Sequence, residues 1–148
     1  MSALILKGGR VIDPAAQRDE ICDILIEDGV IRQVGKDLRA DGAEVYDASG
    51  KIVTPGFIDM HTHLREPGQE AKEDFASGSR AGAAGGYTTI ATMPNTRPVV
   101  DDAALVTSLI KRAEEAAVIH IRIIGAVTKN QEGRSEEHTS ELQSLVII

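Results

Sequence analysis

A chain of 148 residues with 42% hydrophobic content encloses one ordinary core, which fits a single domain or a piece of a larger one. A formal net charge of -7 and the lack of any Lys/Arg run exclude the clustered cations that a nucleic-acid backbone requires. No apolar stretch reaches bilayer-spanning length, Met1 to Lys7 lacks a signal-type start, and the one cysteine, Cys22, permits no internal disulfide, so a soluble, cytoplasmic protein without a membrane partner is expected.

Residues 1–54 alternate short β-type runs with turn signals: Leu4 to Leu6, Arg10 to Ile12, Ile21 to Glu27, Val30 to Val34, Glu44 to Tyr46 and Lys51 to Val53. They predict a small antiparallel β-sandwich module with Cys22 as a small buried apolar residue. Asp28-Gly29 marks a hairpin, because both residues tolerate the positive φ of a type I′ turn. Lys7-Gly8-Gly9-Arg10 reads as a second tight turn.

At Thr54-Pro55-Gly56 the pattern changes to single strands alternating with helices, so a domain boundary is expected there, with the second domain over 55–133. Phe57 to His63 reads as a strand and Glu70 to Ala84 as a helix stopped by Gly85-Gly86. A β-branched strand follows from Tyr87 to Met93. Asp101 or Asp102 caps a second helix, in which Leu105, Leu109, Ala113 and Ala116 keep a 3.6-residue rhythm. Val118 to Val127 suits a strand buried on both faces. The order β-α-β-α-β gives an α/β protein, either an open doubly wound sheet or the start of a (β/α)8 TIM-type barrel. The first βα turn has no glycine-rich phosphate loop, which favours the barrel.

The last segment, 134–148, stands apart. Arg134 to Ser144 matches the in-frame translation of a common sequencing adapter, so this tail is expected to be artefactual, His138 included. The natural frame is then expected to run past Gly133 into the rest of the barrel.

The chemistry concentrates in Pro55 to Gly68. Strand alternation puts Asp59, His61 and His63 on one face and Ile58, Met60 and Thr62 on the other, so two imidazoles converge on one ion. In a barrel that face is the interior, and the carboxyl end of the strand is where barrel enzymes place their chemistry. Neutral imidazole suits Zn2+, and the pair supplies half of a four-coordinate shell. The same spacing also arises on solvated strand faces. Arg65, just past the histidines, offers a planar fork that fits a carboxylate, or alternatively a surface ion pair. Asn95, in Met93-Pro94-Asn95-Thr96-Arg97-Pro98, faces the same barrel end by topology, or serves only as a turn residue. Asp59 either orients His61 by a hydrogen bond or is structural. His120, among isoleucines, reads as a core or barrel-exterior residue.

With these residues in view, Leu4 to Gly133 resembles the dihydroorotase family, in the branch with a β module before the barrel. The most specific stretches are Gly56 to Gly68 and Met93 to Pro98. The first also suits hydantoinases and allantoinases, whereas Arg65 combined with Met93-Pro94-Asn95-Thr96 is typical of dihydroorotases. The resemblance implies that His61 and His63 bind zinc, one or two ions per full-length site, and that Arg65 and Asn95 hold the carboxylate of dihydroorotate. It implies reversible hydrolysis of the ring amide to N-carbamoyl-aspartate in pyrimidine biosynthesis. The family's catalytic aspartate, bridging carboxylate and two further histidines have no matching position here, so the fragment itself is expected to be inactive. Homo-oligomers or association with aspartate carbamoyltransferase are the implied assemblies. The other readings are an allantoinase or hydantoinase, and a noncatalytic dihydroorotase-like partner, against which the retention of both histidines weighs.

Overall fold

A computed structural model describes residues 2–133, and the tail at 134–148 lies outside the described residues. The chain divides into two compact units, Met1–Pro55 and Gly56–Ile148.

In the first unit, five strands form one sheet: β1 (Ala3–Asp13), β2 (Arg18–Glu27), β3 (Val30–Gly35), β4 (Glu44–Asp47) and β5 (Ile52–Val53). The spatial order is β3-β2-β1-β4, with β5 also paired to β1. The hairpins β1-β2 and β2-β3 are antiparallel. Asp28 and Gly29 turn the second one with φ of 49° and 77°, the doubly positive pair that a type I′ turn needs.

The module is a single mixed sheet rather than an antiparallel sandwich, because β4 and β5 both run parallel to β1, along Leu4–Lys7 and Arg10–Val11. The connection after β3 causes this. It carries Leu38 into a cluster with Ile5 and Leu25, so the chain crosses one face of the sheet and returns on the far edge of β1. Gly8-Gly9, moreover, is not a turn: it lies inside β1, where the register with β2 shifts between Leu6 and Gly9. Gly8 takes a φ of 71°, which a bulge accommodates at little cost in glycine.

Buried Asp23 fixes that bulge, accepting the N–H of Gly8 at 2.8 Å and of Leu38 at 3.1 Å. Alternation sends Ile5 and its partner Leu25 to one face, and Leu6 with Ile24 to the other. A second cluster of Val11, Cys22 and Ile24 buries the lone thiol.

The second unit is built from β6 (Phe57–Thr62), α1 (Phe75–Ala84), β7 (Tyr87–Thr92), α2 (Ala103–Ala116), β8 (His120–Ile123) and a 3-10 turn at Lys129–Gln131. Its strands pair in the order β6-β7-β8, all parallel, which is the β-α-β-α-β arrangement of an α/β fold. Helix α1 starts at Phe75 rather than Glu70. Asp74 forms a capping box there, accepting the Ser77 N–H at 2.6 Å while Ser77 Oγ takes the Asp74 N–H at 3.2 Å. Asp102, not Asp101, caps α2 by accepting the Leu105 N–H at 3.0 Å.

One core joins the helices to the sheet: Leu64, Phe75, Ile90, Val100, Val106, Leu109, Ala113 and Ile123. β8 is shorter than the apolar run that predicts it, and it is not buried on both faces. Ile123 packs into the core, but His120 and Arg122 are exposed and Val118 and Val127 stay 60% and 62% exposed. The described helices cover only one face of the sheet. Among the described residues no helix is long and apolar enough to cross a membrane.

Candidate functional site

The carboxyl ends of β6 and β7 carry the side chains that the sequence singles out. The Met93 N–H donates to the Thr62 carbonyl at 2.8 Å and the Leu64 N–H to Thr92 Oγ1 at 3.4 Å, so the two strand ends are tied just where they turn into loops. Leu64 is buried with Phe75 in the core under the helices. Its neighbour His63, like His61, is exposed. The two imidazole centroids lie 5.2 Å apart with ring planes at 70°. Neighbouring rings offered to solvent from a strand end are a workable pair of nitrogen donors for zinc. Among the described residues no third His, Cys, Asp or Glu joins them.

Asn95 reaches this pair from the β7 loop, its Oδ1 lying 2.9 Å from His63 Nδ1 across 32 residues of sequence. Asp59 touches His61 through the main chain, accepting its N–H at 3.0 Å, and has no bond to the ring. His120 is exposed rather than core. It pairs with Thr89 while its neighbour Ile121 pairs with core residue Ile90, so strand alternation turns its side chain away from the helices.

Arg65 is half-buried and has the left-handed φ of 63°. A non-glycine residue there costs about 1–2 kcal/mol, so the surrounding loop must hold it. The next residue does so. Glu66 is buried, accepting the Phe75 N–H at the start of α1 at 2.9 Å and Arg112 Nε–H from α2 at 3.0 Å. Beyond it, the Pro67 carbonyl accepts the Arg97 N–H at 3.0 Å, linking the β6 loop to the β7 loop. Glu70 accepts the Gly68 N–H at 2.6 Å, and that bond holds its carboxyl below the usual range. Arg65 itself has no carboxylate partner within salt-bridge distance among the described residues.

The structure thus brings His61, His63 and Asn95 together and sets Arg65 at the start of the same loop. Sequence reasoning missed Glu66, read only as part of a turn, and Arg112, which lies 46 residues away with no local signal to link them. A carboxylate inside a Glu-Pro-Gly turn before a helix was the available hint for Glu66, since helix N-termini attract anions.

Dihydroorotases from Citrifermentans bemidjiense and Geobacter sulfurreducens are 50% and 48% identical to the chain over 141 residues, 95% of its length. The chain spans about a third of the length of these curated relatives, 33% in each case. Among solved structures, a dihydropyrimidinase from Brevibacillus agri superposes with a TM-score of 0.77 at 29% identity, over 95% of this chain and 30% of that one. A D-hydantoinase (dihydropyrimidinase) from Thermus sp. gives 0.73 at 34% identity, over 96% and 30%. The model of the family described as "Dihydro-orotase-like" matches residues 50–145, and the chain belongs to that family.

Proposed function

We propose that the protein to which this chain contributes is a dihydroorotase, and that the β-α-β-α-β unit forms the first part of a (β/α)8 barrel. In this reading His61 and His63 are ligands of one zinc ion, and Arg65 and Asn95 receive the carboxylate of dihydroorotate. The reaction is reversible hydrolysis. Water adds to the ring amide carbon, the carbon–nitrogen bond breaks and a proton passes to the nitrogen, giving N-carbamoyl-aspartate. Zinc held by His61 and His63 would supply Lewis acidity for activating the attacking water and polarising the ring carbonyl.

The observation that carries this reading is the grouping of the two imidazoles, 5.2 Å apart, with Asn95 against His63 and Arg65 on the adjoining loop. Imidazoles alone would suit any cyclic amidohydrolase. The guanidinium is what an anionic ring calls for, because its fork of donors matches a carboxylate in a way that an ammonium does not. The near-50% identity to dihydroorotases supports the same choice over the hydantoinases, whose superposed structures are 29% and 34% identical.

The test is substrate discrimination in the full-length protein. Arg65→Lys should weaken turnover of dihydroorotate far more than that of an uncharged hydantoin. Equal losses on both rings would reject the substrate assignment. Loss of bound zinc in neither His61→Ala nor His63→Ala would reject the metal assignment.

A further inference from the structure

We propose that Asn95 is a positioning residue for His63: its amide oxygen accepts the Nδ1 hydrogen, fixes the ring tautomer and leaves the Nε2 lone pair for the metal. The proposal rests on the zinc reading above and gives Asn95 a task besides meeting the substrate.

The chemistry starts from the two atoms that face each other, His63 Nδ1 and Asn95 Oδ1, at 2.9 Å. An amide oxygen has no hydrogen to give, so a bond between them requires the proton on Nδ1. A neutral imidazole carries only one N–H, and Nε2 is then the unprotonated nitrogen. A metal-ligating histidine depends on just such a partner, which sets both the ring's orientation and its basicity.

Both side chains are exposed, and an exposed pair on floppy loops would lose this bond to water. Here the backbone pre-organises it. The Asn95 loop is pinned on one side by Met93 N–H to the Thr62 carbonyl at 2.8 Å, and on the other by Val100 N–H to the Pro94 carbonyl at 3.1 Å. Buried Thr96 adds a bond from its Oγ1 to the Pro98 carbonyl at 2.7 Å. Arg97 N–H to the Pro67 carbonyl then ties this loop to the one that follows His63. Thus the acceptor is held at a set distance from the ring before any ligand arrives.

The amide also has a second half. Its Nδ2 hydrogens have no partner among the described residues, so Asn95 can orient the metal ligand with its oxygen while donating to a substrate carboxylate with its nitrogen. Aspartate at this position would keep the acceptor and lose the donor. The two tasks are therefore separable.

The experiment uses the full-length protein. Nitrogen-15 NMR of histidine-labelled, metal-free protein, above the imidazole pKa, should show His63 as the Nδ1–H tautomer. Asn95→Leu should turn it into a mixture and weaken zinc, read by chelator competition, by about 10–100-fold. Asn95→Asp should keep the tautomer and the zinc affinity while raising KM for dihydroorotate. An Nε2–H tautomer in the unmodified protein overturns the proposal without any variant, and so does an unchanged His63 spectrum in a folded Asn95→Leu. If the tautomer responds but the protein takes no zinc, the zinc reading falls while the positioning stands. If zinc binds through both histidines and the spectrum ignores Asn95, the reverse holds.

Discussion

Gly68 and Arg97 touch so closely that a Cβ on Gly68 would lie 1.8 Å from the Arg97 carbonyl oxygen. No side chain fits there. This approach is what lets the loop after β6 and the loop after β7 share the Arg97–Pro67 hydrogen bond and hold His63 and Asn95 in register.

Gly68→Ala is therefore expected to be destabilising on two counts, the backbone clash and the φ of 85°. Overpacking and a left-handed alanine together cost roughly 2–4 kcal/mol. Chemical denaturation of the variant should show a clear drop in midpoint. A loss below about 0.5 kcal/mol, the scatter of ordinary surface changes, would show that the two loops part freely.

Glu66 joins the β6 loop to both helices, through the Phe75 N–H and Arg112. Glu66→Ala leaves a buried N–H without an acceptor and is expected to cost about 2–4 kcal/mol. Arg112→Met should cost about 1 kcal/mol, since the arginine side chain is 51% exposed and water screens the pair. A larger loss from Arg112→Met than from Glu66→Ala in the same denaturation series would mean that the ion pair, not the helix-end bond, matters most.

Asp23 plays the matching part in the first unit, where it accepts two backbone N–H groups. Asp23→Ala strands both and should cost about 2–4 kcal/mol. Asp23→Asn retains one acceptor oxygen and should recover part of that. Identical stabilities for the two variants would show that water replaces the carboxylate at the bulge.

Acid should loosen the start of α1. The Ser77 N–H holds the Asp74 carboxyl below its ordinary value, so the charged form is favoured in the folded chain. A depressed folded pKa contributes stability that is fully present above the unfolded value of ~3.9 and is lost as pH falls through the folded one. The fall in melting temperature between pH 5 and pH 2 should then be less steep in Asp74→Asn, which keeps the cap but does not titrate. An unchanged slope would remove Asp74 from the acid response.

The chain on its own exposes apolar groups along an open strand. Ile58 is 65% exposed and Met60 78%, on a β6 edge that no strand pairs among the described residues. Unpaired edges with apolar side chains template association. Light scattering should show concentration-dependent self-association, reduced by the double substitution Ile58→Thr and Met60→Lys. No measurable dihydroorotate turnover is expected from the chain alone. A monodisperse, active chain would refute both points.

Much of this was legible one residue at a time. The Asp28-Gly29 hairpin, an aspartate cap at Asp101 or Asp102 and the parallel β-α-β-α-β order follow from turn chemistry, capping and apolar period, all of which act within a few residues, and the folded backbone chose Asp102. The same local rules misread Gly8-Gly9, because a glycine pair signals a turn or a bulge equally, and only the strand opposite decides. They also set the start of α1 too early, since Glu70 favours a helix but the Asp74 box stops it from extending backwards.

What the sequence determined by itself, then, is the strand that delivers His61 and His63 together, the loops that follow and the family they belong to. The tertiary structure alone decided that Asn95 meets His63, that Glu66 is buried against Arg112, and that β4 and β5 run alongside β1 in one mixed sheet. The division has a physical reason. Side-chain periodicity and turn preference are written in neighbours, whereas a contact between residues 32 or 46 positions apart exists only once the core has folded and brought the loop ends into reach.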